Sequence, residues 1–224
     1  MRYYPVNLVL TGRHVVIIGG GTVAARKCEG LLAAGAKVTV VAPGLHPAFA
    51  ELCRDGRIEH ISRAYHFGDL NGAFLAFAAT GDAAVNRAVA DEAVTRGIMA
   101  DIVDAPEIST FTTPATVRRG DLAITISTGG KSPALAARLR AELAEQFGPE
   151  YGTALEILGA IREKLLTEKG NTAYNKELFN ALLDHDLPKA LKNRSPSALD
   201  QILADIFGPG FTLAELGIRE RETS

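Results

Sequence analysis

From His14 onward the chain alternates short unbroken apolar runs with longer segments in which apolar positions are spaced. Residues 15–18, "VVII", are β-branched throughout with no polar alternation, as expected of a strand buried on both faces of a parallel sheet. Residues 22–34 hold good helix formers and no proline, and Gly35 follows where a helix C-terminus favours a left-handed residue. "AKVTVVAP" then predicts a second strand, and "RIEHI" and "AFLAFAAT" two more. "DAAVNRAVADEAVTRG" predicts a helix with Asp82 as N-cap and Gly97 at its end, before a strand in "IMADIV". Strands and helices alternating over some 110 residues predict a doubly wound parallel α/β sheet.

The pattern then changes. "ISTFTTPATVRRGDLAITISTGG" is strand-like and threonine-rich, with a break at Gly120 and no helix between its strands, so it is expected to leave the sheet as extended arms or a hairpin. Ser132 and Pro133 form an N-cap and first-turn pair opening "PALAARLRAELAEQF", which Gly148 and Pro149 close. From residue 150 the chain reads as helical in three segments, the last opened by Ser195 and Pro196, with "RERETS" as a frayed end. The expected domains are 1–112, a sheet domain; 113–149, an extended dimerisation segment; and 150–224, a helical C-terminal domain.

The first strand runs into "GGGTVAARK", where Gly19, Gly21 and Ala24 fill the positions of G-x-G-x-x-G/A. Gly19 would make the tight turn, Gly21 would let backbone approach a pyrophosphate, and Ala24 would let the helix pack closely on the strand. Free N–H groups at Thr22 and Val23 would stand at the positive end of the helix dipole. A plain glycine connection is the alternative, but the flanking strand and helix favour a Rossmann-like dinucleotide site. The second strand ends "VVAPGL", with no acid for the adenosine ribose before Glu51 and no Arg or Lys for a 2′-phosphate, so NAD is not separated from NADP here.

A formal charge of -2 gives no sign of a nucleic-acid or membrane-surface protein, and no apolar run approaches the ~18 residues of a membrane span. Cys28 and Cys53 form no C-x-x-C pair and are expected to be small buried residues in a reducing, cytoplasmic setting. Tyr3, Tyr4 and Pro5 are expected to pack at a sheet edge. The five histidines show no metal-binding spacing, so no metal ligand is assigned.

Two features carry candidate chemistry. Asp104 ends the strand "MADIV" at the carboxyl rim of the sheet, where it could take a proton or form an Asx turn into Pro106. Asp101, three residues earlier, reads as a strand-edge charge. Between residues 113 and 140, Arg118, Arg119, Lys131, Arg138 and Arg140 face a single acid, Asp121, and "STGGKSP" sets glycines and hydroxyls before a helix N-terminus. A solvated helix face would explain the cations alone; a second anion site beside a dinucleotide site suits an enzyme acting on a polycarboxylate.

"YPVNLVLTGRHVVIIGGGTVAARK", "FAATGDAAVN" and "DIVDAPEISTFTTPATVRRGDLAITISTGGKSPALAARLR" together resemble the precorrin-2 dehydrogenase domain of the siroheme synthase family, over about residues 2–147. The resemblance weakens over the helical tail, and the chain is too short to include the methyltransferase domain of the fused enzymes. It implies oxidation of precorrin-2 to sirohydrochlorin with NAD, in some members followed by insertion of ferrous iron to give siroheme, by an intertwined homodimer. The family's active-site aspartate falls on Asp104. The cofactor would lie on Gly19, Gly21, Thr22 and Val23, with Pro43 and Gly44 beside its adenosine and Thr80 near the nicotinamide. Arg118, Arg119, Thr128 and Lys131 would hold substrate. Thr128 stands where the family has serine, and Gly81 where it has an acid. No nucleic-acid or membrane partner is expected. The reading from another class is an NAD(H)-sensing regulatory module without turnover.

Overall fold

The computed structural model describes residues 3–169, 176–193 and 196–218. They form two compact units, Met1–Thr113 and Pro114–Ser224.

In the first unit β1 (His14–Ile18) leads through α1 (Thr22–Ala33) to β2 (Lys37–Val41). A single 3₁₀ turn, Pro47–Phe49, runs into α2 (Ala50–Arg54), then β3 (Ile58–Ile61), β4 (Leu75–Ala78), α3 (Ala83–Arg96) and β5 (Met99–Ile102). The five strands are parallel in the order β3-β2-β1-β4-β5, the doubly wound sheet that the alternation predicts. Side chains alternate across the pleat, which explains the unbroken apolar runs. Val15 and Ile17 of β1 with Val38 and Val40 of β2 pack on Ala24, Ala25, Cys28 and Leu31 of α1. Val16 and Ile18 with Ala76 and Ala78 pack on the opposite face against Val89, Ala90 and Ala93 of α3. Truncating one of the larger of these side chains to alanine would cost about 2–5 kcal/mol.

The helix ends follow the sequence signals. Asp82 accepts hydrogen bonds from the amides of Ala84 and Val85, and Gly97 closes α3 at φ +67°. The short α2 carries no periodic signal, since five residues barely exceed one turn; it forms because Phe49 and Leu52 are buried against the sheet.

The crossover from β3 to β4 has no helix to satisfy its backbone. A buried carboxylate does part of that work: Glu92 of α3 accepts from the amides of Gly68 and Leu70, from the Tyr65 hydroxyl at 2.6 Å and from Arg96 Nε at 2.6 Å. Arg63 closes the loop with a two-bond pair to Asp69.

Three expectations need correction. Asp101 lies on the edge strand but is buried and paired with Lys27, because the helix that follows β1 covers it. Cys53 is exposed, whereas Cys28 is buried; burial, with the Glu29 carboxylate adding to it, pushes the Cys28 thiol up to about 11. Tyr4 is 88% exposed, because residues 3–9 join no strand of the sheet.

In the second unit β6 (Ala115–Arg119) and β7 (Leu122–Ile126) form an antiparallel hairpin turning at Gly120 and Asp121. The strand-like stretch thus yields a hairpin only from residue 115; residues 109 and 110 instead bond along the free edge of β5. Ser132 caps α4 (Pro133–Gln146) by accepting from the Leu135 amide at 3.2 Å. The helices α5 (Glu150–Lys169), α6 (Lys176–Asp184), α7 (Leu187–Asn193) and α8 (Pro196–Phe207) close a core of Ile157, Ile161, Leu165, Leu182, Leu203 and Phe207. The sequence pattern gives no separate α7; Pro188 fits its first turn, where an amide hydrogen is not needed. Ser195 and the end "RERETS" lie outside the described residues.

Candidate functional site

Two loops, at the carboxyl ends of β2 and β4, close on the glycine run that follows β1. Gly19, at φ +118°, is pressed against the β4 end: a Cβ there would come within 2.4 Å of the Ala79 carbonyl oxygen. Gly20 is pressed against the β2 end, where a Cβ would meet the Gly44 oxygen at 2.1 Å; its own carbonyl accepts from the His46 amide at 2.7 Å. Gly21, by contrast, has nothing within 4 Å of a Cβ position. The first two glycines therefore clamp the loop between its neighbours, and the third leaves an open surface above the start of α1. Gly20 escaped the sequence reading because its partner is a backbone atom 24 residues away.

That helix start is prepared for an anion. Gly21 caps α1 without a side-chain hydrogen bond, so the amides of Thr22, Val23 and Ala24 are left without a helical partner, and no acid occupies the first turn. The strand order reverses between β1 and β4 at this point, the crevice where open sheets bind ligands. Pro43 and Gly44 are exposed beside it. Ser62 donates to the Pro43 carbonyl at 3.4 Å, which joins the ends of β2 and β3. The described residues thus fit a dinucleotide with no new contact required.

Thr80 follows β4 and is held by one buried side chain. Asn86 Oδ1 accepts from the Thr80 hydroxyl at 2.7 Å and from its amide at 3.3 Å, while Nδ2 donates to the Thr80 carbonyl at 3.2 Å. A lone Asn on an alanine-rich helix gave no hint of this role.

Asp104 follows β5, one strand farther out. It adopts φ +62°, a left-handed backbone that costs a side chain about 1 kcal/mol and that Asp tolerates better than most. The carboxylate is exposed and makes no hydrogen bond to any described residue, so the Asx-turn alternative is not realised. The turn is closed by the backbone instead, Ala105 N–H donating to Ile102 at 3.1 Å.

On the second unit the candidate cations divide. Arg119 is committed: its Nε and Nη2 donate to the carbonyls of Phe147 and Ala144, each at 2.8 Å, and so cap the end of α4. Arg118 points out from the hairpin and is exposed, as is Lys131. The Thr128 hydroxyl donates to the Ser132 carbonyl at 3.1 Å and accepts from the Ser132 amide at 3.2 Å, shaping the turn before α4. Arg138 is paired with Glu142 on the exposed face of that helix.

Three of the five histidines are occupied structurally: His14 bonds Thr39, His60 the Ala42 carbonyl, and His46 Nδ1 accepts from the Ala48 amide. Among the described residues no group of His, Cys, Asp and Glu could hold a metal ion. No helix is long and apolar enough to cross a membrane, again among the described residues.

Comparison with known proteins agrees with this geometry. An NAD(P)-binding family model matches residues 6–115, and the model for the central region of sirohaem biosynthesis proteins matches residues 119–146. The siroheme synthase of Methylobacillus flagellatus is 36% identical over 208 residues, covering 91% of this chain and 44% of that protein. The chain belongs to the siroheme synthase family. The siroheme synthase of Azotobacter vinelandii is 40% identical over 226 residues, covering 94% of this chain and 49% of its own length. The chain thus spans about half the length of these siroheme synthases or a little less. A solved structure described as SirC, precorrin-2 dehydrogenase, superposes with a TM-score of 0.74 at 27% identity, covering 91% of this chain and 98% of its own. Within the siroheme synthase family, the NAD(P)-binding match takes in every rim loop from Gly19 to Asp104, and the central match takes in Thr128 and Lys131.

Proposed function

We propose that this chain oxidises precorrin-2 to sirohydrochlorin with NAD. The observation that carries the reading is the open Gly21 surface above uncapped amides, flanked by loops that Gly19 and Gly20 hold in place. The amides of Thr22 and Val23 hold the pyrophosphate, with Pro43 and Gly44 at the adenosine and Thr80, fixed by Asn86, at the nicotinamide. NAD, when bound, supplies the hydride acceptor. Asp104 takes the proton that leaves the macrocycle, and its freedom from internal hydrogen bonds suits that task. Arg118 and Lys131 hold substrate carboxylates, with Thr128 setting the turn that presents Lys131; Arg119 serves the same hairpin by fastening it to α4.

NAD is favoured over NADP by the state of Arg63, the cation next to Ser62 at the β2–β3 rim. Both its terminal nitrogens are paired with Asp69, which leaves no guanidinium fork for a 2′-phosphate.

Further parts of the reading are a cytoplasmic homodimer and ferrous iron as a second substrate, inserted into sirohydrochlorin with Asp104 accepting displaced pyrrole protons. The dimer is supported by α4, whose 14 residues include none that is buried in the chain alone, with Leu135 48% exposed.

The test is turnover by purified protein. With precorrin-2 and NAD, NADH and sirohydrochlorin should appear in equal amounts, and adding ferrous iron should carry the product on to siroheme. Binding of NAD without any NADH formation would instead favour the sensing module.

A further inference from the structure

We infer that Ser109 is a positioning residue for Asp104, an inference that rests on the proton-accepting role given to Asp104 above. Asp104 sits in a turn with no side-chain bond of its own, in a left-handed conformation that an unsupported chain would leave. Within the turn only the backbone bond from Ala105 N–H to Ile102 holds it, and a side chain from outside adds to that bond. The Ser109 hydroxyl accepts from the Ile102 amide at 2.9 Å, on the strand before Asp104, and donates to the Ala105 carbonyl at 3.0 Å, immediately after it. One oxygen thus bridges the entry and the exit of the turn, and it also lies 3.3 Å from the Ile102 carbonyl oxygen. The chain carrying Ser109 is itself anchored to β5 by Thr110, whose amide donates to Ala100 at 2.9 Å and whose hydroxyl accepts from the Ala100 amide at 2.7 Å. The free edge of the sheet is covered by these hydroxyls, and Asp104 is held at the rim by the same stroke.

The bland alternative is that Ser109 only satisfies the edge of β5. The two differ in what they do to turnover. If Ser109 positions the carboxylate, Ser109→Ala lowers kcat for precorrin-2 oxidation about 10-fold, the scale of a small misplacement of a reacting group, and leaves the Kd for NAD unchanged. Ser109→Thr, which keeps the hydroxyl, retains most of kcat. In an Asp104→Ala background Ser109→Ala has no further effect on kcat, because the group it positions is gone. Should Ser109→Ala not fold, Ser109→Cys, a far weaker hydrogen-bonding group of similar shape, takes its place in the same series. A kcat within about 2-fold of wild type in the alanine variant, or an equal loss with and without Asp104, overturns the inference. Failure of Asp104→Ala itself to lower kcat points elsewhere: it removes the role of Asp104 on which the inference rests.

Discussion

Lys27 of α1 and Asp101 of β5 meet at 2.7 Å although 74 residues separate them. Their side chains are 15% and 9% exposed, and the Lys27 ammonium lies 5.0 Å over the Phe77 ring. The Thr113 hydroxyl donates to the same Asp101 oxygen at 2.7 Å, so the last residue of the first unit is tied to the helix that begins at the glycine run.

Removing one partner would strand the other in a poorly solvated place. Asp101→Ala should therefore cost about 3–5 kcal/mol, read as a lower urea midpoint with little change in slope. A loss below about 1 kcal/mol would mean that the pair is as weak as an exposed one.

The neighbouring glycines should part company under substitution. Gly20→Ala forces a methyl into the Gly44 carbonyl and should destabilise the fold by about 1–3 kcal/mol or more through overpacking, read as a lower thermal midpoint. Gly21→Asp meets open space, so the fold should hold while calorimetric NAD affinity disappears, since a carboxylate then occupies the pyrophosphate surface. Unchanged affinity in folded Gly21→Asp would move the cofactor elsewhere.

Glu92 should govern acid stability. Burial pushes its carboxyl up, but hydrogen bonds from Tyr65, the Gly68 amide, Arg96 and the Leu70 amide outweigh that and hold it below the ordinary range. A carboxyl lowered in the fold stabilises above its unfolded value of about 4.3, and that stability is lost as pH falls through the folded value. Glu92→Gln should be about 2 kcal/mol less stable at neutral pH and should lose less than wild type on going below about pH 4. Denaturant midpoints across pH provide the check, and parallel curves for the two proteins would contradict it.

The residues legible in advance were those whose signal is local. Asp82 as a cap, Gly97 at a helix end, the Ser132–Pro133 pair and the strand–glycine–helix unit all act within a few residues of themselves. What stayed hidden acts across the fold. Gly20 is indistinguishable from Gly21 until β2 brings Gly44 against it, and Glu92 looks like its neighbour Asp91 until the β3–β4 loop wraps over it. Arg118 and Arg119 are adjacent and alike in sequence, yet strand alternation sends one to solvent and the other to the end of α4.

The exposed α4 gives a test of assembly. If it lies at a dimer interface, Leu135→Glu should shift the protein toward monomer in light scattering, because a buried carboxylate would be left without a partner. A wild-type protein that is monomeric at micromolar concentration and still turns over would count against the dimer.

The central claim is that Asp104 handles the proton during NAD-dependent oxidation, and Asp104→Asn tests it most directly. Asparagine tolerates the left-handed backbone at this position and matches the carboxylate in size, so the fold and NAD affinity should be unchanged. NADH formation at saturating precorrin-2 is the measurement. The account predicts a fall of about 100-fold or more in kcat, the usual scale for a general base; a rate near wild type would contradict it.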